Sequence, residues 1–162
     1  MDMSDYRTAL GSFMTGVTVV AAFDEAGAPW GLTANSFTSV SLDPALILVC
    51  VDRKGRTWPT FEASPSFSVN ILAAEQEAMA RHFAGPDPNR FASVPWTREE
   101  DGAPLLHDTA AWLDCRVSER IPAGDHVILL GEVARFGHAP RTPLGYCRGS
   151  FVEAHPARSS AA

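Results

Sequence analysis

The hydrophobic pattern of this chain is mainly that of strands. Residues 13–23 (FMTGVTVVAAF) are rich in Val, Thr and Phe and predict one strand. Asp24-Glu25-Ala26-Gly27 is a turn signal, and a second strand begins at Pro29-Trp30-Gly31-Leu32-Thr33, so the spacing predicts a tight hairpin. Residues 34–41 (ANSFTSVS) are crowded with hydroxyls. After Asp43-Pro44, residues 46–51 (LILVCV) form an unbroken apolar run of strand length, which predicts burial on both faces. A short helix through Thr60, Phe61 and Ala63 follows, with Thr57 or Asp52 as its cap. Residues 67–72 (FSVNIL) predict another strand. Residues 73–84 are good helix formers with apolar positions at 79, 80 and 83, and Gly85-Pro86-Asp87-Pro88-Asn89 ends that helix. Residues 111–121 and 126–135 read as strands of similar length around Pro122-Ala123-Gly124-Asp125, which predicts a second hairpin.

About six or seven strands joined by hairpin turns, with no βαβ alternation, exclude a doubly wound parallel sheet. The pattern predicts a mainly β, largely antiparallel barrel with two or more short helices, because closure removes exposed strand edges. A length of 162 residues predicts one domain, expected over residues 1–153, with an Ala/Ser/Pro-rich tail over 154–162 that frays. With 46% hydrophobic residues the chain can bury a core without disulfide or metal staples. No apolar run approaches the roughly 20 residues of a membrane-spanning helix. The acidic opening MDMSDYRTAL lacks the basic and apolar parts of a signal peptide, so a cytoplasmic protein is expected. A net charge of −6 without a basic block argues against nucleic acid as a partner. Cys50, Cys115 and Cys147 are an odd set with no CxxC and no His at metal spacing. Cys50 and Cys115 read as buried thiols in a reducing compartment.

Two segments carry candidate chemistry. Thr33, Ala34, Asn35, Ser36 and Ser39 offer hydroxyls, an amide and backbone N–H groups suited to a phosphate or a heterocycle edge; alone they also fit an ordinary polar loop. Arg53-Lys54-Gly55-Arg56-Thr57 combines three cations, a Gly and a hydroxyl at a helix start, an anion cradle in chemistry, although a bare charge run is usually a solvated turn. Both lie at strand ends and could converge. His126 follows Gly124-Asp125 where a strand begins; a His there can donate or accept a hydrogen bond, or simply bond its neighbouring Asp. His82 fits a favourable cation at a helix C-terminus. No Ser–His–Asp spacing, HExxH, GxGxxG or GxxxxGK[ST] motif is present.

Assembled in order, these segments resemble the flavin reductase-like, FMN-binding split-barrel family. Gly11-Ser12-Phe13-Met14-Thr15-Gly16-Val17-Thr18-Val19-Val20 is similar to its opening. Gly31-Leu32-Thr33-Ala34-Asn35-Ser36-Phe37-Thr38-Ser39-Val40-Ser41-Leu42-Asp43-Pro44 is similar to its most specific signature, followed by Leu48-Val49-Cys50-Val51-Asp52-Arg53 at the expected distance. Phe67-Ser68-Val69-Asn70-Ile71-Leu72, Arg81-His82-Phe83-Ala84, Arg90-Phe91 and Gly124-Asp125-His126 follow in register, so the resemblance runs from about Tyr6 to Phe151. The nearest pattern is that of the small reductase components of two-component flavin monooxygenases.

The resemblance implies a split-barrel homodimer that binds FMN or FAD near the subunit interface. It implies flavin contacts from Thr33, Ala34, Asn35 and Ser36, from Ser39, and from Cys50, Val51 and Asp52 along the ring. Phosphate contacts are implied from hydroxyls around Ser36 and Ser39 and from Arg53, Lys54, Gly55, Arg56 and Thr57, and contacts to the flavin tail from His82 and Phe83. His126 is implied as the catalytic-pocket residue bordering the nicotinamide of NADH or NADPH, with Tyr146, Arg148 and Gly149 nearby. A flavin-dependent monooxygenase is the implied receiver of reduced flavin. Two departures stand out. Gly55 replaces a Ser of many relatives, which transfers one expected phosphate contact to a backbone N–H, and Cys147 replaces a His. The absence of acid–base machinery agrees with chemistry carried by the cofactors. A non-catalytic flavin-storage protein is the alternative on the same fold. A split-barrel oxidase of a phosphorylated amine is disfavoured by the Thr-Ala-Asn-Ser signature.

Overall fold

The computed structural model describes residues 2–155, so most of the tail expected to fray lies outside the described residues. The chain opens with a helix that the hydrophobic pattern did not signal. In α1 (Met3–Gly11) no residue is buried, and Asp2 caps it by accepting the Ser4 amide at 2.7 Å. Local capping, not a core-facing stripe, starts this helix.

The strand expected over 13–23 is two strands in different sheets, β1 (Thr15–Gly16) and β2 (Thr18–Phe23). Buried Val17 joins them. Its amide donates to the Leu144 carbonyl and its carbonyl accepts the Leu72 amide, each at 3.0 Å, so the chain changes sheet with no orphaned backbone group. Phe13 and Met14 remain outside any strand.

β2 pairs with β3 (Pro29–Ala34) through the expected hairpin. Asp24 holds the turn by accepting the Ala26 and Ala28 amides and the Trp30 indole N–H. The Ala28 amide first, and then the Trp30 indole, hold its carboxyl below the usual range. Gly27 takes the left-handed conformation there, with φ 79°.

The chain continues through β4 (Thr38–Leu42), β5 (Ala45–Asp52), α2 (Trp58–Ala63) and β6 (Ser66–Ile71). The expected helix over 73–84 starts as a 3₁₀ turn over Ala74–Gln76 and becomes α3 only at Glu77–Ala84. A second 3₁₀ turn spans Arg90–Ser93. Then come β7 (Trp96–Arg98), β8 (Pro104–Leu106), β9 (Ala111–Ala123), β10 (His126–His138), β11 (Leu144–Cys147) and β12 (Ser150–Glu153).

Every strand pair is antiparallel. Seven strands form one sheet in the order β3-β2-β6-β9-β10-β5-β4, while β1-β11-β12 and β7-β8 form two small ones. The sheet is not closed by hydrogen bonds, contrary to the expected barrel closure. Its two edges, β3 and β4, are consecutive in the chain and joined only by residues 35–37. In place of a ladder, Ser36 fills part of the gap: its hydroxyl accepts the Cys50 amide at 3.0 Å and donates to the Cys50 carbonyl at 3.2 Å. Cys50 lies beyond the last β4 partner, Thr38↔Leu48, so a side chain serves a backbone that has run out of strand.

The core has two parts. Val20, Val49, Phe61, Phe67, Val69 and Leu129 pack on one side, and Val19, Ala21, Phe83, Phe91, Leu106 and Leu144 on the other. Burial on both faces, expected of residues 46–51, is found instead in β2. In β5 only Ile47, Val49 and Val51 are buried; Leu46, Leu48 and Cys50 form a half-buried outer face. Cys50 is therefore not the buried thiol expected. Cys115 is, and burial pushes its thiol up to about 12.

Fully buried Asn70 ties the two layers together. Its amide nitrogen donates to the Val19 carbonyl at 3.1 Å and to the Ser68 hydroxyl at 3.0 Å, and its oxygen accepts the Leu106 amide at 2.8 Å. Asn70→Ala strands the buried Leu106 amide. We expect a loss of roughly 1–3 kcal/mol in urea unfolding, the cost of one stranded buried group; a loss below about 0.5 kcal/mol would contradict this role.

Candidate active site

β3, α3 and the β11–β12 hairpin surround a cleft of about 320 Å³. The end of β3 supplies Thr33 and Asn35 to it, α3 supplies Arg81, and the hairpin supplies Tyr146, Gly149 and Phe151. Thr33 donates its hydroxyl to the Ala80 carbonyl at 2.6 Å, which fixes the strand against the helix. Arg81 is held by Glu77 at 2.7 Å, one helical turn away, and its guanidinium lies 4.9 Å from the centre of the Phe151 ring. Tyr146 and Phe151 meet edge to face, with ring centroids 5.3 Å apart. The cleft thus joins apolar walls to an amide, hydroxyls and a guanidinium. That combination suits a flat heterocycle whose edge carries donors and acceptors.

A second cluster sits at the end of the β5–β10 ladder. His126 pairs in register with Asp52, and the Arg53 amide donates to the Asp125 carbonyl at 3.0 Å. His126 Nδ1 lies 2.7 Å from Asp125 Oδ1. The carboxylate is the acceptor, so Nδ1 carries the proton and Nε2 is left without a partner among the described residues. The histidine, through this hydrogen bond first, holds the Asp125 carboxyl below its ordinary range. In the turn from Arg53 to Thr57, the Lys54 amide donates to Asp52 Oδ1 at 2.8 Å. The Gly55 amide donates to the Asp52 carbonyl at 3.1 Å. The N–H expected to replace a serine contact is therefore already spent. The amides of Arg56 and Thr57 have no partner among the described residues.

The structure thus brings Thr33, Asn35, Tyr146 and Gly149 to one cleft and Asp52 to Thr57 with His126 to another place. Ala34, Val51 and Phe83 turn their side chains into the core, which leaves their backbone as the part a ligand can touch. Ser36 and Cys50 are bonded to each other, and burial raises the Cys50 thiol while the Ser36 hydroxyl lowers it. Ser39 is exposed on β4, where it pairs with Ile47. Arg148 lies at the tip of the β11–β12 hairpin in the left-handed conformation, φ 48°.

His82 stands in the last turn of α3, where it is committed to a backbone carbonyl. Its Nε2 donates to the Arg90 carbonyl at 2.8 Å. Arg90 itself donates to the Gly31 carbonyl at 2.7 Å and to the Gly85 carbonyl, while its Nε is buried without a partner. Burial, and next the nearby Arg56, lowers its pKa. Arg56 donates to the Pro86 carbonyl. These arginine-to-carbonyl bonds fasten the segment after α3 to β3 and to the phosphate-like turn. In the sequence Arg90 stands only as part of a motif; its role follows from the Gly31 and Gly85 carbonyls, which no pattern of residues reveals. Val17, Arg81 and Phe151 are further cleft residues that the sequence reading missed, because they come from distant strands and a helix.

Comparison with known proteins places this geometry. A reductase subunit of stachydrine N-demethylase from Rhizobium meliloti (strain 1021) is 46% identical over 159 residues, covering 96% of this chain and 69% of the relative. The reductase component of a flavin-dependent trigonelline monooxygenase from Acinetobacter baylyi is 46% identical over 156 residues, covering 96% of this chain and 50% of the relative. The chain spans only 47% and 50% of the lengths of two of the curated relatives it matches. Among solved structures, the Streptomyces globisporus NADH:FAD oxidoreductase in complex with NAD and FAD fragments superposes with a TM-score of 0.90 at 41% identity, covering 96% of this chain and 94% of that one. The family model described as "flavin reductase like domain" matches residues 10–155, nearly all of the described structure, and the chain belongs to that family.

Proposed function

We propose that this protein is an NAD(P)H-dependent flavin reductase that passes reduced FMN or FAD to a partner monooxygenase. The observation that carries the reading is the cleft between β3, α3 and the β11–β12 hairpin. Its apolar walls and its polar residues Thr33, Asn35 and Arg81 match the two faces and the edge of a flavin ring. Relatives named as reductase components of monooxygenases support the same activity. Bound flavin supplies the hydride acceptor and the nicotinamide supplies the donor. The chain's own residues bind, orient and exclude water. Tyr146 and Phe151 would wall the ring site, Thr33 and Asn35 would fix the ring edge, and the free amides of Arg56 and Thr57 would hold the flavin phosphate. Residues 1–153 would act as one unit of this kind.

His126 would border the nicotinamide. With Nδ1 committed to Asp125, its Nε2 can accept a hydrogen bond from a carboxamide, and no proton transfer is asked of it. His126 lies apart from Tyr146 and Gly149 within one subunit, so a shared pocket requires a second subunit. The exposed apolar residues Phe13, Met14, Leu42 and Phe136 support a homodimer, since surface of that kind is costly to leave in water.

Three measurements check the reading. Purified protein should oxidise NADH or NADPH when FMN or FAD is supplied, followed by loss of nicotinamide absorbance. Flavin binding without oxidation of either nicotinamide would make it a storage protein. His126→Ala should lower kcat/KM for the nicotinamide, tenfold for each ~1.4 kcal/mol lost, and leave flavin Kd unchanged. Weakened flavin binding with intact nicotinamide kinetics would move His126 to the flavin site. Light scattering should give twice the 17.4 kDa chain mass, and an active monomer would refute the dimer.

A further inference from the structure

A cavity of about 580 Å³ opens between the β2–β3 turn and α2, and it shares no lining residue with the ring cleft. Its walls combine three kinds of group. Arg56 supplies a guanidinium, Trp30 a flat aromatic face, and Pro59 and Ala63 an apolar wall from α2. Glu25 supplies a carboxylate that makes no ion pair among the described residues. Asp24 also lines the cavity, but its oxygens are already taken by the Ala26 and Ala28 amides and the Trp30 indole. That last bond, 2.9 Å from the indole nitrogen to Asp24 Oδ2, fixes the orientation of the Trp30 ring. A ring held in this way loses little freedom when a second flat group stacks on it.

Arg56 belongs both to this cavity and to the turn from Arg53 to Thr57, so the cavity begins where the turn ends. Positive charge accumulates there. Arg53, Lys54, Arg56 and Arg90 make no ion pair among the described residues. Arg56 and Arg90 give their hydrogen bonds to the neutral carbonyls of Pro86, Gly31 and Gly85. The two guanidiniums are close enough for Arg56 to be the second cause, after burial, of the lowered Arg90 pKa, with Asp87 a third and opposing one. In a protein of net charge −6, this local excess suits more than one phosphate. FMN brings one phosphate to the turn. FAD brings two, and beyond the second an adenosine. Adenine is a flat apolar ring with an exocyclic amine that donates hydrogen bonds, which matches an indole face, an apolar wall and an unspent carboxylate.

We infer that the cavity between the β2–β3 turn and α2 receives the adenosine of FAD, with Trp30 as its stacking face, and so makes the protein prefer FAD to FMN. The inference rests on the proposed flavin site, with the flavin phosphate at the turn from Arg53 to Thr57. Titration of flavin fluorescence gives the Kd of each flavin with no nicotinamide present, so the result stands whether or not hydride is transferred. The native protein should bind FAD at least about tenfold more tightly than FMN, the scale of one base–aromatic stack. Trp30→Ala should raise the FAD Kd about tenfold and leave the FMN Kd unchanged. Trp30→Phe should keep most of the FAD affinity, which a role confined to the Asp24 hydrogen bond would not allow. Ala63→Phe fills the cavity from an exposed position on α2, so it tests the site without touching the turn; it too should weaken FAD and spare FMN. Equal affinity of the native protein for the two flavins, or equal losses of both in these variants, overturns the inference and leaves FMN-dependent oxidation of NADH intact. The nicotinamide dinucleotide also carries an adenosine. A raised NADH KM in Trp30→Ala with FMN as acceptor, together with an unmoved FAD Kd, would place that adenosine here and overturn the inference. Native protein that binds neither flavin overturns both the inference and the flavin site on which it rests.

Discussion

The pairing of β9 with β10 is the constraint on which the rest of the molecule depends. These two strands of 13 residues each run antiparallel from His126↔Ala123 to His138↔Ala111. A slip of one residue would turn every side chain to the opposite face. Gly131 guards the register: a Cβ there would stand 2.6 Å from the Phe67 ring and 3.0 Å from the Cys115 Cβ, both in the core. From this ladder β10 carries β5 on its free side and β9 carries β6. The register sets Asp52 opposite His126, so the basic turn and the histidine meet as a consequence of strand pairing. On the other flank, β6 carries β2 and then β3, which brings Thr33 to α3.

Much of this scaffold was legible in the sequence. The two hairpins, the strand at Phe67 to Ile71 and the helix ending at Ala84 follow from turn residues and periodicity. What escaped are elements without a hydrophobic signal of their own. α1 buries nothing, so no stripe announced it. β4 hides in a polar stretch because it is an edge strand with exposed side chains. β1 and β11 are short and hold together by changing partners at Val17. The apolar run from Leu46 to Val51 misled, because only every second residue of it is buried and its outer face is half-buried.

The candidate site was legible as segments and not as an arrangement. Thr33 and Asn35 do line a cleft, and Tyr146 and Gly149 join them from far along the chain. The sequence could not show that Ser36 is occupied with the Cys50 backbone, that the Gly55 amide is spent on Asp52, or that His82 serves the Arg90 carbonyl. Each depends on which backbone groups lack a strand partner, and that is settled only by tertiary pairing.

In the proposed reductase the nicotinamide would lie on the flavin ring and pass its hydride directly. Anaerobic single-turnover mixing of the flavin-loaded protein with nicotinamide deuterated at the transferred C4 position tests it most directly. The oxidised flavin band should bleach in one kinetic step, slowed by the deuterium for one C4 face and not for the other. Flavin that stays oxidised, or bleaching with no isotope effect from either face and no dependence on nicotinamide concentration, would contradict it.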